Sequence, residues 1–172
     1  FDGVTTTGWR TSYGTGFPRQ GWTVKDGELR GELATGSEAA DAGDIVTLNK
    51  YKNFELVFEW KLGNGGNSGI KYFVEERLPK PPGSQPGYEY QLIDDATYIY
   101  NEKPLPQDLK TASIYDVVAA DKPDVSMNVW HHSKILVNGN HIEHWLDAVK
   151  VLSVDRTDDV FTKGWADSKF HS

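Results

Sequence analysis

"NFELVFEWKLGNGGNSGIKYF", residues 53–73, decides the fold. Phe54, Leu56, Phe58 and Trp60 alternate with Glu55, Val57, Glu59 and Lys61, a period of two that sends one set of side chains to each face of a strand. The apolar set predicts a core face, and the mostly charged set a face turned away from it. Beyond the strand, Gly63, Gly65, Gly66 and Gly69 are interleaved with Asn64, Asn67 and Ser68. Glycine takes positive φ without steric cost, so this stretch predicts a tight hairpin tip that a ligand or another backbone can approach closely. A plain turn between two strands would carry the same composition. Asn67 and Ser68 are the candidate ligand-binding groups at its rim, and Lys71 follows on the next strand.

The same period recurs along the chain. It is seen in "WTVKDGELRGEL" (22–33), with Asp26-Gly27 as the turn, in "GIKYFVEE" (69–76), "YEYQLIDD" (88–95) and "SKILVNGNHIEHWLD" (133–147), with Asn138-Gly139 as the turn, and in "KVLSV" (150–154). At least seven strands and no convincing amphipathic helix predict an all-β sandwich in one domain over residues 1–172. The proline-rich "ERLPKPPGSQPG" (76–87) and "YNEKPLPQDLKTAS" (100–113) read as long loops, which in a compact domain are commonly functional.

Composition narrows the partners. A formal charge of -7 and no basic stretch leave nothing to displace counterions from a phosphate backbone, so nucleic acid is not expected. The absence of cysteine excludes a disulfide framework and a thiolate zinc site. No apolar run approaches the ~18 residues of a spanning helix, so no transmembrane segment is expected, and Phe1 is no initiator, so a leader is expected to have been removed or omitted.

Several stretches taken together resemble the 3-keto-disaccharide hydrolase family, formerly a domain of unknown function: "FDGVTTTGWR" (1–10), "GWTVKDGELRGE" (21–32), "YKNFELVFEWKLGNGGNSGIKYF" (51–73), "GYEYQLIDD" (87–95), "ASIYDV" (112–117) and "NVWHHSKILVNGNHIEHWLD" (128–147). The resemblance implies a concanavalin-like, two-sheet antiparallel jelly roll with a carbohydrate site on its concave sheet, cleavage of glycosides oxidised to a ketone at C3, and an extracytoplasmic setting in bacteria. Three departures stand out. The family's Trp-Asn reads Trp130-His131, its Trp-Leu-Asn-Gly turn reads Trp145-Leu146-Asp147-Ala148, and its closing Gln-Asp-His-Gly strand does not follow "WADSKFHS". The expectation is a jelly roll lacking its C-terminal strand. It would either expose an edge near Phe1 to Trp9 that invites a second copy, or continue into a strand outside this sequence.

A C3 ketone acidifies the proton on C2, so the implied chemistry needs a base, an electrophile for the enolate oxygen and aromatic walls for the sugar. Glu59 shares a strand face with Glu55 and Lys61, and Glu89 shares one with Gln91, while Asp94 closes that strand from the other parity. If the two strands are neighbours, Glu59, Glu89 and Gln91 point into one groove. Charges on a solvated sheet face would show the same pattern. Catalytic candidates are Glu59, Glu89 and, as a neutral imidazole base, His131; substrate-binding candidates are Asn67, Ser68, Lys71, Gln91, Asp94 and Tyr115, whose phenol could protonate a leaving group. His131, His132, His141 and His144 lie close in sequence but divide between strand faces, so a metal site made only of them is not expected, although one of them with Glu59 or Glu89 could hold a divalent metal ion. Two other readings remain open at this level. One is a non-catalytic carbohydrate-binding module on the same fold. The other is a retaining glycosidase using Glu55 and Glu59, which a regular strand would hold about 13 Å apart instead of the required ~5 Å.

Overall fold

The computed structural model describes residues 1–31, 43–79 and 86–170. The chain divides into two compact units, Phe1–Tyr51 and Lys52–Ser172. The first contains strands β1 (Trp9–Thr11), β2 (Trp22–Lys25), β3 (Glu28–Gly31) and β4 (Ile45–Thr47), paired antiparallel as β1 with β4 and β2 with β3. Asp26 and Gly27 make the expected hairpin turn, at φ 55° and 80°, the two left-handed residues a type I′ turn requires. Glu32 and Leu33 of the predicted strand lie outside the described residues, as do residues 80–85 of the proline-rich loop. The segment at Phe1 to Trp9, expected to offer an open edge, runs into β1, where Trp9 pairs with Thr47.

The second unit is an all-β sandwich. Its strands are β5 (Phe54–Trp60), β6 (Asn67–Tyr72), β7 (Tyr88–Ile93), the short β8 (Ile99–Tyr100) and β9 (Lys103–Pro104), then β10 (His131–Asn138), β11 (His141–Leu146) and β12 (Val149–Asp155), followed by a helix, α1 (Asp159–Asp167). One sheet has the order β12-β11-β10-β5, all antiparallel. The other is the β6–β7 pair, to which residues 112–115 add themselves: the Ala112 amide bonds Gln91 O and the Tyr115 amide bonds Glu89 O, both at 2.9 Å. Ile135, Val137, Ile142 and Leu152 of the first sheet meet Tyr72, Tyr90 and Leu92 of the second in one core, the main source of stability through apolar burial.

The core also contains polar groups, each with a partner. His144, 0% exposed, donates from Nδ1 to the Ala112 carbonyl at 2.7 Å and accepts at Nε2 from the Tyr72 hydroxyl at 3.0 Å. A carbonyl can only accept, so the tautomer follows. Burial pulls the imidazole down to about 4, against the opposite pull of the Ala112 bond, and the ring is neutral. Trp60 Nε1 donates to Ser133 Oγ at 2.9 Å, and Tyr90 donates to the Trp145 carbonyl, so the Ser133 hydroxyl donates to Tyr90.

Four sequence expectations change. Leu56 belongs by parity with Phe58 and Trp60, yet is 39% exposed, because β5 is an outer strand of its sheet. The β10–β11 turn is centred one residue later, on Gly139 (φ 61°) and Asn140, with only the first residue left-handed, as type II′ requires. The β11–β12 turn closes without glycine, with Asp147 at φ 46° and Ala148 at φ 66°. The helix α1, absent from the sequence reading, buries Phe161 and sets both Phe161 and Trp165 edge-on to Tyr88. Its Gly164 is needed for clearance, since a Cβ there would come 2.0 Å from the Val117 carbonyl oxygen.

Candidate active site

The face of β6–β7 turned away from the core carries the site. Tyr72, Tyr90 and Leu92 point inward, so strand alternation puts Asn67, Gly69 and Lys71 of β6, with Glu89 and Gln91 of β7, on the opposite face. Lys71 is registered against Glu89, and their charged groups are 3.8 Å apart with side chains 14% and 18% exposed. Gly69 makes this possible by having no side chain: a Cβ there would lie 2.0 Å from Glu89 Oε1, so the carboxylate folds over the bare backbone of the neighbouring strand. Gln91 is 2% exposed and donates from Nε2 to Asn67 Oδ1 at 3.3 Å, and Asn67 Nδ2 faces the Tyr98 hydroxyl at 3.5 Å.

Tyr115 extends this face. Ile114 before it is fully buried and bridges Tyr90, so Tyr115 falls on the Glu89 side. It packs with Tyr98 against a small second core of Ile93, Leu105 and Leu109. The excursion that supplies these residues is anchored by a buried ion pair, Lys122 Nζ with Asp95 Oδ2, while Asp95 Oδ1 accepts the Thr111 amide. Burial raises the Tyr115 phenol above its ordinary range, and the neighbouring Lys169 acts in the other direction. After α1 the chain returns to the site: Lys169 Nζ is 4.5 Å from the Tyr115 ring centre, and Phe170 is 6.2 Å from the Tyr115 ring with Lys71 Nζ at 5.6 Å.

The expected groove is therefore only partly assembled. Glu89, Lys71, Gln91, Asn67 and Tyr115 come together. Glu59 does not join them, because β5 pairs with β10 in the other sheet and turns Glu59 outward, against His132 at 3.2 Å, with both side chains more than half exposed. His131 is 6% exposed on the inner face of β10 and does not reach Glu89's face. Its Nδ1 meets Asp147 Oδ2 and its Nε2 meets the Ser126 carbonyl, both at 2.8 Å, and its ring lies 4.7 Å from that of Trp60. Both ring nitrogens are engaged by protein groups, so neither is turned toward the β6–β7 face. Ser68 has Leu92 as its register partner and the parity of Tyr72, so it leaves the Asn67 face. Asp94 is 2% exposed, and its carboxylate accepts the Gly65 amide at 2.8 Å and the Thr97 hydroxyl. Those bonds, the Gly65 amide foremost, hold it below the usual carboxylate range, and it positions the glycine turn instead of touching a ligand.

His131 and Asp147 are two of the three residues, with Ala148, at which these motifs depart from the resembled family's pattern, and they contact one another. Asp147 receives the imidazole and, at 3.0 Å, the His132 amide; burial works to raise its carboxyl and these bonds outweigh it, leaving it lowered. Among the described residues no three His, Cys, Asp or Glu side chains form a group able to hold a metal ion, and no helix is long and apolar enough to cross a membrane. Sequence reasoning missed Gly69, Tyr98, Lys169 and Phe170 as parts of this face. Only Gly69 had a signal, the glycine-rich run read as a tip open to close approach, but what approaches it is the Glu89 carboxylate of the neighbouring strand.

An all-β sandwich with an acid–base pair, amides and a phenol on one outer sheet face describes a class of small-molecule site. The chain belongs to the family described as the 3-keto-alpha-glucoside-1,2-lyase-like domain, whose model matches residues 1–170. It is 33% identical over 178 residues to a Bacteroides thetaiotaomicron protein named 3-keto-disaccharide hydrolase, an alignment covering 97% of this chain and 60% of that protein. The chain thus spans about three fifths of that relative's length. It also resembles two solved structures from Parabacteroides distasonis ATCC 8503, each described as a candidate glycosyl hydrolase. One has a TM-score of 0.82 at 29% identity over 98% of this chain and 76% of that chain; the other has 0.66 at 25% over 86% and 72%.

Proposed function

We propose that this protein is a carbohydrate-active enzyme that cleaves 3-keto-glycosides, and that the Lys71–Glu89 pair is its reactive centre. The observation that carries this reading is the half-buried pair itself, a carboxylate and an ammonium 3.8 Å apart, on the strand face that Tyr115 joins through its amide bond to the Glu89 carbonyl. Glu89 takes the proton from C2 as the C3 oxygen gains charge beside Lys71. The enolate electrons then return to form C1=C2 while the C1–O bond breaks, and Tyr115 protonates the departing oxygen. In the second half the Tyr115 phenolate takes a proton from water, the oxygen adds to C1, and Glu89 returns its proton to C2. Atoms and protons balance, and the two halves sum to hydrolysis. The exposed Asn67 presents its amide to ring hydroxyls, where an unmatched group would be left without a partner, and the buried Gln91 holds it in place through its Oδ1. The name of the Bacteroides relative supports the substrate class. An extracytoplasmic setting accompanies the reading, on family resemblance alone.

The test is incubation with a 3-keto-disaccharide, with and without chelator, following enone absorbance and released sugar. Release that depends on Glu89 and Lys71 supports the reading. Tight binding of the sugar without any release would instead favour a carbohydrate-binding module.

A further inference from the structure

We propose that Lys169 is a positioning residue of this site, holding the Tyr115 phenol as the proton donor to the group departing from C1. The inference rests on the functional reading above and adds to it a residue from the segment after α1. Lys169 is not on any strand of the site, yet its backbone is tied there: its amide donates to Asp116 Oδ2 at 2.8 Å, one residue after Tyr115. Asp116 sits at φ 62°, a left-handed conformation that turns the chain directly after the phenol. The Ser168 hydroxyl donates to the Trp165 carbonyl at 2.8 Å and accepts the Phe170 amide at 3.3 Å, fixing the exit from the helix. Phe170 then stacks on Trp165, with ring centres 6.4 Å apart and planes 16° from parallel. The result is an ammonium held between two aromatic rings, 4.5 Å from the centre of Tyr115 and 5.2 Å from that of Phe170.

The groups facing Tyr115 are few and of both signs. Lys169 comes from beyond α1, Asp116 from its own segment and Glu89 from β7. Burial favours the neutral phenol, Asp116 and Glu89 add to that, and the Lys169 ammonium, 4.5 Å from the ring centre, opposes them by its charge. A half-buried phenol flanked by two carboxylates holds its proton more firmly than one in water. An ammonium at this distance stabilises the phenolate that remains after transfer, and it does so without touching the sugar.

The test compares the wild type with Lys169→Met and Lys169→Arg on two 3-keto-glucosides, one with an alkyl alcohol and one with nitrophenol as leaving group. Nitrophenolate departs without a proton, so Lys169→Met is expected to lose about tenfold on the alkyl glycoside and less than twofold on the nitrophenyl one, with Lys169→Arg restoring most of the loss. Independently of activity, the 13Cζ resonance of Tyr115, assigned with Tyr115→Phe, is expected to titrate at higher pH in Lys169→Met. Equal losses on both glycosides, or an unmoved Tyr115 titration, overturn the proposal. If the wild type leaves both glycosides intact, the functional reading falls, and the titration alone decides whether Lys169 governs the phenol.

Discussion

The two outer faces of the sandwich carry the same kinds of residue and differ in what surrounds them. On the four-stranded sheet, Glu59 meets His132, Glu55 meets Lys134 at 3.5 Å, and Glu143 takes Lys150, the Trp145 indole and His141. Burial works to raise Glu143, and these bonds outweigh it, holding its carboxyl at about 2. Glu55 and Glu59 are more than half exposed, where such pairs contribute little, whereas Glu143 is 15% exposed, as covered as Glu89, and has its carboxylate taken up by those three partners. On the β6–β7 face, Glu89 and Lys71 are screened from solvent by the segment through Tyr115 and by Phe170. The same ion-pair chemistry is worth more where water is excluded. A carboxylate on a strand is therefore not a site until another part of the chain encloses it.

The largest effect that could break this comparison is on activity. Glu89→Gln is expected to lower the rate on a 3-keto-disaccharide about 10³-fold, and Glu59→Gln to leave it within twofold. A loss with Glu59→Gln comparable to that with Glu89→Gln would put the chemistry on the wrong sheet.

Two measurements of stability sharpen the contrast between core and faces. Phe58→Ala, which removes a ring edge-on to Tyr90 at 5.4 Å, should cost about 3 kcal/mol in urea unfolding, and Leu56→Ala under about 1. His144 gives the pH dependence. Its folded value of about 4 lies below the ordinary 6.5, so below pH 6.5 the unfolded chain binds a proton that the native chain refuses. Stability then falls as pH drops from about 6.5 to about 4, by about 3 kcal/mol. His144→Gln should remove this slope while lowering stability at pH 7, and an unchanged slope would mean that the ring is protonated inside the core.

The smallest effect concerns the β11–β12 turn. Ala148 at φ 66° bears a Cβ in a conformation that glycine adopts freely. Ala148→Gly should stabilise by about 0.5 kcal/mol after the added entropy of the unfolded chain is counted. The neighbouring Asp147 should resist change, because its carboxylate holds both His131 and the His132 amide.

Alternation in "NFELVFEWKL" and "SKILVNGNHIEHWLD" was enough to read strands and a core face, because a two-residue period is a property of the local chain. The Asp26-Gly27 turn was legible for the same reason. Glu89, Lys71, Gln91 and Tyr115 were each named as candidates, but the groove supposed for Glu59, Glu89 and Gln91 does not form. Parity says which residues share a face of one strand but not which strand lies beside it, and β5 chose β10, distant in sequence, over the β6–β7 pair that follows it. His131 illustrates the limit: its neighbours in sequence suggested a reactive imidazole, and its neighbours in space are Asp147, Ser126 and Trp60.

By itself, then, the sequence determined an all-β chain, its apolar and polar strand faces, and membership of a family through motifs spread along its length. Tertiary structure alone decided which polar face was enclosed. It did so through contacts between residues far apart in the chain, with Gly69 clearing space for Glu89, the Asp95–Lys122 pair anchoring the excursion through Tyr115, and Lys169 returning from beyond α1 to the phenol. Hydrophobic periodicity is local and can be read from neighbouring residues. The burial that screens a pair of charges from water depends on what covers them, and the covering segments here lie 20 to 100 residues away.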